Sequence, residues 1–243
     1  MNNLKKIEKI INGFKQQIKA SMLIVLKTNR RAKVLMDLYR NHTAWLEIQI
    51  KKSGAYDSLA CKEGCSYCCY QPVVSMAIEV LSIVSYIKSL PVGKQEKFSS
   101  YLQTAIRAAG GFKTHPDRIR SRIPCAFLLE GECLIYEHRP LACRAYVSNK
   151  LEPCLRFFKN PSIESDRESN LQIFAGNWAI ENGTAAACKE AGFDAEGLHF
   201  EKAVLYFLQN ADAEEHWLKK RKLPDEIKMG VAEAGILELK VIQ

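Results

Sequence analysis

The chain has 243 residues, 47% of them hydrophobic, with only 13 Gly and 8 Pro; this is enough apolar material for a sizeable core and excludes disordered and collagen-like classes. The net charge of +8 lies entirely within residues 1–60, where 12 Lys and Arg face 4 Asp and Glu, while the rest of the chain balances at 23 of each. Nine cysteines could build a disulfide framework, but the count is odd, Cys68 and Cys69 are adjacent, residues 1–8 lack a signal-peptide core, and no run reaches the roughly 18 apolar residues of a membrane span.

These features predict a cytoplasmic protein without a transmembrane segment, in which clustered reduced cysteines bind metal. Taken in order, Leu4, Ile7, Ile11, Phe14 and Ile18 recur at spacings of three and four, which predicts an amphipathic helix over 4–20 with Lys5, Lys9, Lys15 and Lys19 off the stripe. A second helix, over 31–52, carries Leu35, Leu38, His42, Trp45 and Leu46, and Thr28-Asn29 is the break between the two. His42 sits on the apolar stripe and reads as a packed core histidine. Ser53-Gly54 closes this basic helical arm, residues 1–54. The arm can meet an acidic protein partner or protein substrate; its charge does not exclude nucleic acid.

Cys61-Lys62-Glu63-Gly64-Cys65-Ser66-Tyr67-Cys68-Cys69 follows, with Gly64 placed for a tight turn. Gln71-Pro72-Val73-Val74 predicts an extended link, and Ser75 an N-cap for a buried helix running to Leu90 before Pro91. A helix over 94–109 ends at Gly110-Gly111, and the basic, polar stretch 112–123 reads as a loop. Around Glu130-Gly131-Glu132, the runs Phe127-Leu128-Leu129 and Cys133-Leu134-Ile135-Tyr136 predict a β-hairpin, the one sheet expected. Pro140 suits the first turn of a short helix carrying Cys143, and Cys154 follows Pro153 in an expected loop. Helices are expected from about Glu164 to Ala187, over 196–209 and over 211–222. The fold class is therefore mainly α: a cysteine-cluster helical domain over 55–223 with a short β-hairpin, the basic arm before it and a C-terminal tail over 224–243. No alternation of strands and helices supports a Rossmann sheet or a barrel.

Cys61, Cys65, Cys68, Cys69, Cys125, Cys133, Cys143 and Cys154 form the candidate metal site. Thiolates in this number suit zinc or an iron–sulfur cluster, and the spacing leaves open both the choice and the division among ions. Adjacent Cys68 and Cys69 point apart in most backbone conformations and would serve different ions or opposite sides of one centre. Cys188, in a small-residue helical run, reads as a buried apolar side chain. Arg139 and Arg144 beside the ligands can donate hydrogen bonds to cluster sulfurs or hold a carboxylate; with Tyr136 they are the candidate cofactor-binding residues.

C-x3-C-x-Tyr-C over Cys61–Cys68 is similar to the cluster loop of radical S-adenosylmethionine enzymes, whose barrel this chain lacks. A wider pattern joins both halves: Cys61, Cys65, Cys68 and Cys69; Glu79 opening a helix; Pro124-Cys125, Phe127-Leu128, Gly131, Cys133, Ile135-Tyr136, Arg139-Pro140 and Cys143-Arg144. It resembles the CxxCxxCC cysteine-cluster family of zinc- or iron-chelating proteins (YkgJ type), which includes flagellin lysine N-methylases. Cys61 and Cys65 depart from it by standing three residues apart. The resemblance implies a metal centre and, for its methylase branch, an iron–sulfur enzyme using S-adenosylmethionine. The alternative is a non-catalytic zinc protein acting in structure or interaction.

Overall fold

A computed structural model describes residues 2–29, 31–110, 115–162 and 167–229, with side chains except at 2–4, 115 and 116. Helices α1 (Asn2–Thr28) and α2 (Ala32–Lys52) form an antiparallel pair that breaks at Thr28-Asn29, as the sequence predicts. α1 runs eight residues past the expected 4–20, because its stripe continues: Ile18, Met22 and Leu26, each four apart, are fully buried. Their partner is α8 (Leu171–Glu190), which begins behind an Asn170 cap whose Oδ1 accepts the Ile173 N–H at 3.2 Å. α8 starts later than the expected Glu164; residues 163–166 lie outside the described residues.

Two glycines let the helical pair approach α8. A side chain at Gly183 would stand 2.7 Å from the Lys15 carbonyl oxygen, and one at Gly176 would stand 2.5 Å from Leu46 Cδ1. His42 lies in this packing, its Nε2 3.1 Å from Ser21 Oγ.

The central helix, α3 (Ala77–Lys88), is apolar nearly all round and is covered by α2, α4 (Val92–Ala109) and α9 (Phe200–Gln209). It starts at Ala77 rather than after a Ser75 cap. Ser75 instead belongs to β1 (Val74–Ser75), paired antiparallel with β4 (Leu198–His199) in the register Val74 with His199. This second ladder corrects the expectation of a single sheet. The expected hairpin is present as β2 (Leu128–Leu129) and β3 (Glu132–Cys133). Glu130 and Gly131 have φ of 52° and 87°, the two positive values of a type I′ turn.

Three further elements differ from expectation. Residues 115–121 of the expected loop are a short helix, α5 (His115–Ser121), anchored by Arg118, which is buried and donates Nη1 to the Ile123 carbonyl at 2.7 Å. Residues 111–114 lie outside the described residues. Cys154 is on a helix, α7 (Leu151–Lys159), because Pro153 falls in its first turn, where no backbone donor is required. The last helix, α10 (Ala213–Leu218), stops before the basic run, and Lys220 takes a φ of 61° that ends it. Of the C-terminal tail, residues 224–229 dock: Ile227 and Met229 are buried and Met229 donates its N–H to the Gly197 carbonyl at 2.9 Å. Residues 230–243 lie outside the described residues. The described fold is mainly α, with no helix long and apolar enough to cross a membrane.

One buried carboxylate ties the segments that frame the cysteines. Glu79 Oε1 accepts from the Tyr39 hydroxyl at 2.9 Å and from the Leu141 N–H at 2.8 Å, and its Oε2 accepts from the Met76 N–H at 2.8 Å. It thereby caps α3, holds α2, and fixes the start of α6 (Leu141–Ala145). Glu181 on α8 also faces Glu79, and its Oε2 is buried with no partner among the described residues.

Gly183→Ala is expected to force α1 away from α8 and to cost about 1–3 kcal/mol in chemical denaturation. Gly13→Ala, on the exposed side of α1 with nothing within 4 Å of the new carbon, should instead gain about 0.5–1 kcal/mol. Burial pushes the Glu181 carboxyl up to about 8, so the folded state keeps a proton that the unfolded chain loses. Its contribution to stability is complete at acid pH and is lost as pH rises through about 8. Glu181→Gln should therefore be progressively more stable than the parent between pH 5 and pH 9, measured by denaturation midpoints across that range.

Candidate metal centre

The first cysteine loop is shaped by two turns. Gly64 takes a φ of 86°, and the Cys65 N–H closes on the Lys62 carbonyl at 3.0 Å. Tyr67–Tyr70 then form a 3-10 turn that carries Cys68 and Cys69. The Cys69 carbonyl accepts the Cys125 N–H at 2.7 Å, so backbone alone joins the first cysteine stretch to the second. Cys133 ends the hairpin, Cys143 rides on α6 and Cys154 on α7. Phe158 of α7 packs on Tyr67 and Tyr70 with centroids 5.4 and 4.9 Å apart, holding α7 over the 3-10 turn.

Six of the eight clustered cysteines line one cavity of about 70 Å³: Cys65, Cys68, Cys69, Cys125, Cys133 and Cys143. Cys61 and Cys154 stand on its flank, where their electrostatic neighbours are Cys65 and Cys68. The Cys61 sulfur accepts the Ser148 N–H at 3.2 Å. Cys188 is buried in the helical core apart from the cavity, and burial pushes its thiol up to about 12. All nine cysteines are free thiols. Among the described residues no three Cys, His, Asp or Glu side chains close to ion-holding geometry.

The donor set fits a thiophilic metal. Six sulfurs line the cavity, with the Tyr136 hydroxyl and no carboxylate or imidazole among the described lining residues, which favours zinc or iron–sulfur over hard cations. Burial raises the thiols of Cys125, Cys133 and Cys143, and a hydrogen bond with Cys69 followed by burial raises Cys68. Each therefore carries its proton near neutral pH, and a metal must displace it.

Arg139 opposes that shift at Cys68, Cys133 and Cys143. It lines the cavity with Tyr136, stacks on the Tyr136 ring at 3.6 Å and donates Nε to the Tyr136 carbonyl at 2.9 Å. Arg144 lies elsewhere. It donates Nε to the Arg139 carbonyl at 2.9 Å, donates to the Glu137 carbonyl, and reaches Glu47 Oε2 at 3.5 Å. It braces the turn that aims Arg139 and lines a separate polar pocket with Tyr39 and Glu79. His138 stacks on Tyr86 at 3.9 Å.

Two residues beside the cysteines had no role in the sequence reading. Glu201, in the first turn of α9, accepts the Ala126 N–H at 2.7 Å and lies 3.8 Å from Arg118, next to Cys125. Nothing in its amphipathic helix distinguishes it from an exposed glutamate. Arg167 comes from the start of the link into α8 and lies over the Tyr146 ring at 3.8 Å.

Residues 60–168 match a family model, CxxCxxCC, described as "Putative zinc- or iron-chelating domain". No curated protein and no solved structure matches the chain. The matched stretch holds all eight clustered cysteines, Glu79 and Arg139, and leaves out α1, α2 and α8 to α10. That match makes residues 60–168 of this chain similar to the CxxCxxCC zinc- or iron-chelating domain.

Proposed function

We propose that the chain is a metalloprotein in which Cys65, Cys68, Cys69, Cys125, Cys133 and Cys143, with Cys61 and Cys154 on the flank, hold an iron–sulfur or zinc centre. The observation that carries this reading is the gathering of six thiols, from four separate stretches of chain, around one small cavity that Arg139 also lines. When bound, an iron–sulfur centre supplies electron transfer or an open iron, and zinc supplies a Lewis acid. Arg139 offsets thiolate charge and, with its guanidinium fixed on Tyr136, orients donors toward sulfur. Backbone hydrogen bonds to Glu79 and from Cys125 to Cys69 hold the ligand segments in register before any metal arrives.

Within this reading the protein is an enzyme related to protein lysine N-methylases, with S-adenosylmethionine as methyl donor; that finer part rests on the resemblance. It is supported by a second, larger cavity of about 240 Å³ that shares Cys68 and Cys143 with the centre, room that a purely structural site does not need. The alternative, a non-catalytic zinc module, is favoured by the lack of an acid–base pair inside the cysteine cavity.

The basic N-terminal helices are the proposed docking face for an acidic protein partner or protein substrate. Residues 5–10 of α1 are exposed on every side, Ile7 and Ile10 included, and Lys5, Lys6 and Lys9 flank them. Replacing all three lysines with Glu should abolish salt-sensitive binding to poly-glutamate without changing the melting temperature. Equal loss of binding to single-stranded DNA would assign the face to polyanions in general, and unchanged poly-glutamate binding would remove it.

Anaerobic purification with metal and sulfide analysis tests the centre. Iron with sulfide and a brown colour is the expected result; colourless protein with stoichiometric zinc selects the alternative, and protein holding neither metal ends both. Cys68→Ser and Cys143→Ser are each expected to lower bound metal by at least about half, while Cys188→Ala keeps it all.

A further inference from the structure

The 240 Å³ cavity holds more than spare volume. At roughly 30 Å³ per water it has room for about eight waters, or a small organic molecule of similar bulk. Its walls are mainly apolar, from Val73, Val74, Ala145 and Phe174, and it shares one wall, Cys68 and Cys143, with the cysteine centre. Three polar side chains enter it: Gln71, Tyr146 and Arg167.

These three are linked. Gln71 Nε2 donates to the Tyr146 hydroxyl oxygen at 3.1 Å, which leaves that hydroxyl's own proton free to donate. Arg167 Cζ lies over the Tyr146 ring, 3.8 Å from its centroid, and the guanidinium donates one N–H to the Val147 carbonyl. That contact fixes the guanidinium plane and leaves its remaining donors available. Among the described residues no carboxylate comes within ion-pair distance of Arg167. A half-buried guanidinium with no carboxylate partner among the described residues, within electrostatic reach of the Cys154 thiol and next to a free hydroxyl donor in a mainly apolar cavity, is arranged to receive an anion.

We propose that this cavity binds a small organic carboxylate with an apolar body, its carboxylate held by Arg167 and the Tyr146 hydroxyl and its apolar part against Val73, Val74 and Phe174. A single guanidinium matches a single negative charge and the planar geometry of a carboxylate. A phosphate dianion would lack a second cation, since no lysine and no other arginine lines the cavity. The apolar walls reject a small inorganic anion, which would lose its hydration without replacement. The site stands on the cavity and does not require the centre to be catalytic. It does put the bound molecule against the wall that Cys68 and Cys143 form.

The test uses full-length protein purified anaerobically with its metal and titrated calorimetrically with hexanoate, hexanamide and acetate. Saturable hexanoate binding is expected, about tenfold or more tighter than hexanamide, with acetate weaker than hexanoate because it fills little of the cavity. Arg167→Met should weaken hexanoate at least about tenfold while leaving hexanamide and metal content unchanged. Tyr146→Phe keeps the ring under Arg167 and should weaken hexanoate by about three- to tenfold. Absence of saturable binding overturns the proposal, as does equal affinity for hexanoate and hexanamide. Unchanged hexanoate affinity in both variants also overturns it. If Arg167→Met loses metal, Tyr146→Phe decides: a selective loss of hexanoate at full metal content supports the site, and no loss overturns it. Metal content measured on the same samples separates any of these failures from failure of the metal reading.

Discussion

The structure depends on a carboxylate with no exposure to speak of. Glu79 is buried at the head of the most buried helix, where an unpaired charge would cost several kcal/mol. It is retained because three donors from three segments converge on it: the Tyr39 hydroxyl, the Met76 N–H and the Leu141 N–H. Burial still raises its pKa, while those donors and the Arg144 guanidinium pull the other way. The geometric consequence matters more than the energy. Met76 lies seven residues after Cys69, and Leu141 lies two before Cys143. One side chain therefore fixes the distance between two cysteine segments that are more than 70 residues apart in sequence, and the Cys125 N–H to Cys69 carbonyl bond adds a third.

This scaffold sets the domain apart from small zinc modules, which lack a core and fold only on the metal. Here α3 buries Ile78, Val80, Leu81, Ile83, Val84 and Ile87, and each such side chain contributes about 1.5–3 kcal/mol. The ladder between β1 and β4 and the packing of α9 add to a core formed apart from the sulfur ligands. The thiols are gathered by helices and hairpin, and burial leaves those of Cys125, Cys133 and Cys143 protonated until a cation competes for them. Among the described residues Arg139 is the one cation lining the sulfur cavity, and its stacking on Tyr136 gives it a fixed direction that a lysine could not hold.

Much of this was legible in the residues. The hairpin followed from the Glu130-Gly131-Glu132 turn between two apolar runs, and the first two helices followed from their stripes and the Thr28-Asn29 break. What escaped shares a cause: it depends on partners far away in sequence. Two-residue strands at Val74 and Leu198 have no periodicity to read, and they exist because residues over 120 positions apart meet. Arg118 looked like part of a solvated basic loop until Glu201 and the Ile123 carbonyl were seen to hold it. Pro153 argued for a loop at Cys154, but a proline in the first helical turn costs no hydrogen bond, so α7 forms around it. Glu79 was noticed as part of a pattern, yet its three partners could not be read from that pattern. The grouping of six cysteines around one cavity, with Cys61 and Cys154 flanking it, is likewise a property of the packed segments and not of the spacing C-x3-C-x2-C-C.

The remaining question is why a helical body with its own core should carry eight clustered thiols, each only partly buried. Accessible thiolates invite oxidation and exchange, so a protein that needs sulfur only for rigidity does better to seal it. Phe127 and Phe200 line the sulfur cavity, and Cys68 and Cys143 also back onto a larger space that contains the Arg167 guanidinium, which has no carboxylate partner among the described residues. That open side is an expense in stability, since the cavity forfeits the packing that its apolar walls would otherwise gain. An arrangement that leaves volume, a hydrogen-bond donor and a positive charge beside sulfur ligands is better accounted for by traffic through that side than by a clamp. The cavity that shares Cys68 and Cys143, more than the number of cysteines, therefore tilts the reading from a structural clasp toward a centre that meets another molecule.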